Sequence, residues 1–288
     1  MSISWLKEEI PILVSSDPLS GNSNLSMDGS FFSVQLEDEG LKVPKDARNC
    51  NIEVINASIW NSVPNIVTGV EDKFYIQGPD NTGTLTSYVV EIPQGLYSVN
   101  NLIEFIEQDL ANQGAAVEIN GKATNLVDFQ TNTATQKIVL KINYPNVVID
   151  FSPADSIDNI LGFQDEVVSV PSGPLVLVPY YVEAPNVARF NALDYFLINC
   201  DLSNAGLRIN NRYQNTIARV LVDVEPNAQI VYNPQHTIKT NSDHLIGTAR
   251  TSFSVELTDQ TGRRVDTSGE YFSALIVISY YHPVRVNI

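Results

Sequence analysis

The stretch LDYFLINCDLSN, Leu193–Asn204, sets a cysteine and an aspartate side by side in a run that otherwise reads as protein core. Side chains on a β-strand alternate between its two faces. Counting by two puts Phe196, Ile198, Cys200 and Leu202 on one face and Tyr195, Leu197, Asn199 and Asp201 on the other. Cys200 then shares the more apolar side, where a free thiol behaves as a small, inert hydrophobe. Asp201 points the opposite way and cannot activate it. A pair that looks like chemistry therefore reads as strand pattern, with Asp201 expected to bond a neighbouring strand or loop.

The same period of two recurs along the chain. FFSVQLE (31–37) alternates Phe32, Val34 and Leu36 against Ser33, Gln35 and Glu37. SYVVEI aligns Tyr88, Val90 and Ile92; KIVLKI aligns Ile138, Leu140 and Ile142, with Lys137 and Lys141 opposite. NVVIDF aligns Val147, Ile149 and Phe151, and RVLVDV aligns Val220, Val222 and Val224. SFSVEL is the cleanest, with Phe253, Val255 and Leu257 inward. In NIEVINASIW (51–60) the phase breaks around Ile55, the mark of a bulge. YFSALIVISYY (271–281) is apolar on both faces and reads as a central strand or one covered by another element.

One segment follows a helical period. YSVNNLIEFIEQDLANQG spaces Val99, Leu102, Ile103, Ile106 and Leu110 along one face of an amphipathic helix at about 98–113. Ser98 suits its N-cap and Gly114 its C-terminal stop, with Glu104, Glu107 and Asp109 on the wet side. A short helical turn is expected near 155–161, capped by Asp155 or Ser156 and ended by Gly162. TDQTGRR (258–264) is a hairpin turn in which Gly262 can take a positive φ. Many short strands, turns between them and one strong helix argue for an all-β antiparallel sandwich. Residues 1–29, rich in Ser, Asn, Gly and Asp after a short apolar patch, are expected as a flexible N-terminal arm, disordered or ordered by a neighbouring subunit. Residues 30–288 are expected as a single domain.

Composition narrows the function. With 17 basic and 33 acidic residues the net charge is −16, and no Lys/Arg run occurs. Such a chain repels phosphate backbones, so direct nucleic-acid binding is not expected. No apolar run approaches the roughly 18 residues of a membrane span, and the N-terminus lacks a secretion signal. Two cysteines, Cys50 and Cys200, make no disulfide framework. The sequons at Asn24 and Asn56 are read as chance.

Candidate chemical groups form no recognisable constellation. His236, His244 and His282 have no partner ligand at zinc spacing. There is no nucleophile elbow and no phosphate-binding glycine loop; DNTGTLTS (80–87) lies between two β runs. No Asp-x-Asp-x-Asp-Gly calcium loop is present, and SMDGS (26–30) is too short to count as one. The acidic pairs Glu37–Asp38, Glu71–Asp72 and Asp165–Glu166 read as solvated strand ends, because glycoside hydrolysis needs carboxylates facing each other across a cleft. No catalytic, cofactor-binding or metal residue is assigned, and no cofactor is expected. The aromatic clusters VPYYVE (178–183) and ISYYHP (278–283) read as packed or inter-subunit faces, with a ligand rim as the rival.

The order of these phrases resembles a family. GLYSVNNLIEFIEQDL, then ILGF, APNVARFNALDYFLINCDL, ARVLVDV, FSVELTDQTGRRV and a terminal ALIVISYY, with ASIWNSVPNI early on, are similar to the single jelly-roll penton or minor capsid proteins of virophages and Polinton-like viruses, in the lineage of PRD1 and adenovirus. The resemblance spans about 30–281 and lapses at 164–185 and in DLSNAGLRINNRYQNT (201–216). It implies an eight-stranded jelly roll in an icosahedral shell. It also implies a homopentamer at the vertices, contact with the major capsid protein, and assembly in the host cytoplasm into the virion. The rivals are a virion-surface sandwich that binds a host glycan or receptor, and a hydrolase on a sandwich scaffold.

Overall fold

The computed structural model describes residues 2–21, 23–36, 40–119, 122–171, 179–190, 193–204, 206–209 and 212–286. In place of one domain over 30–288, the chain forms two compact units. The first comprises Met1–Val63 and Leu193–Ile288, the second Pro64–Ala192. Period-two patterning identifies strands but not which strands share a core, so the division was invisible to it.

Among the described residues the first unit contains eight principal strands: β1 (Ser2–Ser15), β2 (Phe31–Gln35), β3 (Arg48–Trp60), β4 (Tyr195–Cys200), β5 (Thr216–Leu221), β6 (Gln229–Tyr232), β7 (Ser252–Thr258) and β8 (Ser273–Val286). One sheet runs β1-β8-β3-β6, with Thr240–Asn241 also paired to β3; the other runs β2-β7-β4-β5. All of these pairs are antiparallel. The first strand therefore pairs with the eighth, the second with the seventh, the third with the sixth and the fourth with the fifth. A long hairpin rolled into two sheets gives this nested order, which is the jelly roll. The second unit is inserted in the chain between β3 and β4.

The expected arm is instead the first strand of the roll. β1 pairs in register with β8 from Ser2↔Val286 to Ser15↔Ser273. Ile10 and Ile12 pack on the core and Val14 is buried in it, an alternation the charged Lys7–Glu9 and the polar residues after Ser15 obscured. The residues after it are turns tied down by carboxylates. Asp17 accepts from Leu19 N, and Asp28 accepts from the Ser30 backbone N and hydroxyl.

The bulge lies where the phase breaks. Leu275 faces Asn56 and Ile276 faces Val54, so Ile55 is skipped. Cys50, Ile52 and Val54 point inward before it, and Ala57 and Ile59 after it. β8, apolar on both faces, is central, between β1 and β3. The inner faces of both sheets meet in one core, where the Phe32 and Phe272 rings lie 5.4 Å apart.

The second unit has its own core. One sheet runs Val167–Ser169, Val148–Asp150, Lys73–Pro79, Leu85–Glu91; a second runs Tyr180–Glu183, Lys137–Ile142, Val127–Asn132. Tyr88, Val90 and Ile92, Ile138, Leu140 and Ile142, and Val147, Ile149 and Phe151 are all buried as the alternation requires. Helix α1 (Val99–Asn112) is capped by the Ser98 side chain, which accepts from Asn101 N at 3.3 Å. Leu102, Ile103, Ile106 and Leu110 are buried, and Gly114 follows at φ 80°. Glu107 departs from the wet side. It is half-buried and accepts from Phe129 N at 2.9 Å, which anchors the helix to the sheet, and burial raises its pKa. The second turn, α2 (Asp158–Leu161), begins later than expected and has no side-chain cap. Asp155 instead pairs with Lys73 at 3.0 Å and accepts from the Tyr75 hydroxyl. Gly162 closes the turn at φ 83°, where a side chain would collide with the Asn186 carbonyl.

Candidate functional site

Cys200 is buried in the first unit's core with Phe196, Ile198 and Leu202. Burial pushes its thiol pKa up to about 12 and that of Cys50 to about 11, and both cysteines are free. These groups are inert packing, since the thiolate is the reactive form. Asp201 bonds the neighbouring strand β7: Oδ1 accepts the Ser254 N–H and Oδ2 the Ser254 hydroxyl, each at 2.9 Å. Leu197 departs from the simple two-face count. It is buried although it lies opposite the core face, and the pairing with β5 shifts register between Ile198 and Asn199.

The three histidines are dispersed. His236 is exposed. His244 lies in the single turn Asp243–Leu245, its pKa lowered by burial and then by Arg250. His282 Nδ1 is 3.3 Å from Glu8 Oε1, and the Tyr280 hydroxyl donates to Glu8 Oε2 at 2.6 Å. Burial and then Glu8 push the Tyr280 pKa up to about 12. This trio ties β1 to β8. Among the described residues no group of three or more His, Cys, Asp or Glu could hold a metal ion.

Of the acidic pairs, Glu71–Asp72 holds loops. Glu71 accepts from Asn159 Nδ2 at 3.1 Å, and the buried Asp72 accepts from Gly69 N at 2.7 Å. Asp165 and Glu166 are exposed, and Glu37–Asp38 lies outside the described residues. The two Asp-x-Thr-Gly turns are one structure used twice. Asp80 Oδ1 accepts from Thr82 N, Thr82 Oγ1 and Thr84 N, and Asp259 Oδ1 accepts from Thr261 N, Thr261 Oγ1 and Arg263 N.

The aromatic clusters separate. Tyr280 is buried in the first unit's core, whereas Tyr181 is 53% exposed on the outer face of the sheet Val127–Asn132, Lys137–Ile142, Tyr180–Glu183. There Lys141 stands between Tyr181 and Asp128, and Val139 between Glu183 and Gln130. Lys141 Nζ pairs with Asp128 at 2.9 Å; Glu183 Oε1 accepts from Asn132 Nδ2 and Thr135 Oγ1, each at 3.0 Å. Tyr181 stands out in the sequence within VPYYVE, whereas its neighbours come from separate strands. Their only local sign was the outward Lys137 and Lys141 of KIVLKI.

The nested pairing defines a jelly-roll β-sandwich. Among solved structures, the chain is similar to the penton protein of mavirus. That crystal structure, of the selenomethionine-labelled protein, aligns over 99% of this chain and 100% of that chain, at 13% identity and a TM-score of 0.47. No family model matches the sequence, and no curated protein matches it.

Proposed function

We propose that this chain is a capsid structural protein, specifically the penton that closes the vertices of an icosahedral shell as a ring of five, and that it is not an enzyme. The observation that carries the reading is the eight-strand nested roll, taken with the order of sequence phrases that resemble penton proteins. Those phrases fall at defined places in the fold: the Cys-Asp-Leu phrase at the end of β4, the Asp-x-x-Gly turn after β7, and the Leu-Gly-Phe phrase at the end of α2.

A closed ring needs two different surfaces on each subunit. The roll offers exposed apolar side chains at both ends of its sheets. Leu13 on edge strand β1, Leu19 and Met27 on the link to edge strand β2 are 73%, 94% and fully exposed. Leu221 on edge strand β5 and Val231 on edge strand β6 are also exposed. The turns carrying Leu19 and Met27 are fixed by Asp17 and Asp28, so these side chains are held ready to insert, which lowers the entropy cost of association. The net charge of −16 opposes association until salt screens it. The chain is then a monomer when dilute and a pentamer at high concentration or in the shell, where it contacts the major capsid protein of a virion assembled in the host cytoplasm. Among the described residues no helix is long and apolar enough to cross a membrane. Light scattering against concentration and salt tests this. Growth from monomer to a five-fold mass is expected, and a dimer or trimer under every condition refutes it.

A further inference from the structure

We propose that the outer face of the sheet Val127–Asn132, Lys137–Ile142, Tyr180–Glu183 binds a neutral oligosaccharide. The register lays its side chains out as a grid: Tyr181, Lys141, Asp128 in one row, Glu183, Val139, Gln130 in the next, and Lys137 opposite Asn132 beyond. Rows lie about 7 Å apart along the strands and columns about 4.8 Å across them, room for more than one sugar ring.

Charge selects the ligand class. Within the grid Lys137 and Lys141 stand against Asp128 and Glu183; the half-buried Glu107 lies beside Lys141 and Asp128, with its pKa raised by burial, in a chain with 17 basic and 33 acidic residues. A face so nearly balanced gives little steering to a nucleic acid or another polyion. What it gives is donors and acceptors already fixed in place. Asp128 Oδ2 accepts from Lys141 Nζ at 2.9 Å and Asn143 Nδ2 at 2.8 Å. Glu183 uses Oε1 for Asn132 and Thr135, and its Oε2 takes no hydrogen bond from a described residue. Lys137 Nζ donates to the Pro185 carbonyl at 2.7 Å. Polar groups ordered before binding lose little entropy to a hydroxyl-rich ligand. The Tyr181 ring adds an apolar flank beside them, and an amphipathic ring of this kind suits a surface half wet and half apolar. A protein partner is disfavoured because charged side chains are depleted from the centre of protein–protein contacts, and this grid has four.

The experiment applies the full chain to an array of neutral, sialylated and sulfated glycans. Calorimetric titration of the best neutral hit follows, for the parent and for Tyr181→Ala, Tyr181→Phe and Glu183→Gln, with melting temperature and ring formation read on each. The expected result is a neutral oligosaccharide whose affinity falls about tenfold in Tyr181→Ala, survives in Tyr181→Phe and falls in Glu183→Gln, at parental melting temperature and ring formation. No binding, binding of anionic glycans alone, or parental affinity in Tyr181→Ala overturns the proposal. So does loss of rings in Tyr181→Ala without glycan binding, which makes the face a subunit contact. Ring formation in the parent reads the capsid role separately.

Discussion

Asp201 holds Ser254 through both carboxylate oxygens, one on the backbone N–H and one on the hydroxyl, each at 2.9 Å. The β4–β7 ladder ends at Cys200↔Val255, and the Asp201 side chain carries it one step further, with Asp201 N donating to Ser254 O at 3.3 Å. A carboxylate does this better than an amide because it accepts at both oxygens. Asp201→Ala is expected to cost about 1–2 kcal/mol in chemical denaturation, and Asp201→Asn less. A denaturation midpoint unchanged in Asp201→Ala contradicts this role.

β1 supplies one edge of a sheet and part of its core through Val14. Deleting residues 1–29 is therefore expected to give insoluble or molten protein, because β8 loses one of its two neighbours along 14 residues. A truncated chain that melts like the parent, followed by circular dichroism, shows that β1 is dispensable.

The second unit's core is built around α1, whose Ile106 is fully buried. Ile106→Ala is expected to lose about 2–5 kcal/mol. Hydrogen exchange should locate the loss in residues 64–192, with Arg48–Trp60 and Ser273–Val286 retaining protection. Equal loss of protection in both sets contradicts two separate cores.

Glu107 gives a pH signature. Its folded pKa is raised, so folding favours the protonated acid and disfavours the carboxylate. The group's contribution is most favourable below the unfolded value of 4.5 and is lost as pH rises through the raised folded value. Glu107→Gln keeps an acceptor for Phe129 N without the charge. It should stabilise the chain at neutral pH, and the gain should vanish in acid. Urea melts at several pH values decide it; a gain that grows in acid has the wrong sign.

Cys50 and Cys200 should resist thiol reagents in the native chain at pH 8 and both react after unfolding, as their raised pKa values and burial require. A thiol titrated under native conditions would exclude this packing.

Local patterns were legible where one rule governs them. The phase break at Ile55 gave the bulge, five apolar residues gave α1, and the apolar faces of 271–281 gave a central strand. Long-range pairing was not legible. β1 is a strand because β8, more than 250 residues away, lies beside it, and its own Lys7, Glu8 and Glu9 mask the alternation. Asp155 left its expected capping role because Lys73 and Tyr75, distant in sequence, offer it an ion pair and a hydroxyl. The grid around Tyr181 likewise exists only once three strands align.

The capsid role is tested most directly by electron microscopy of the purified chain at high concentration and raised salt. Class averages should show closed rings of five subunits. Rings of another number, open filaments, or monomers alone at every concentration and salt contradict it.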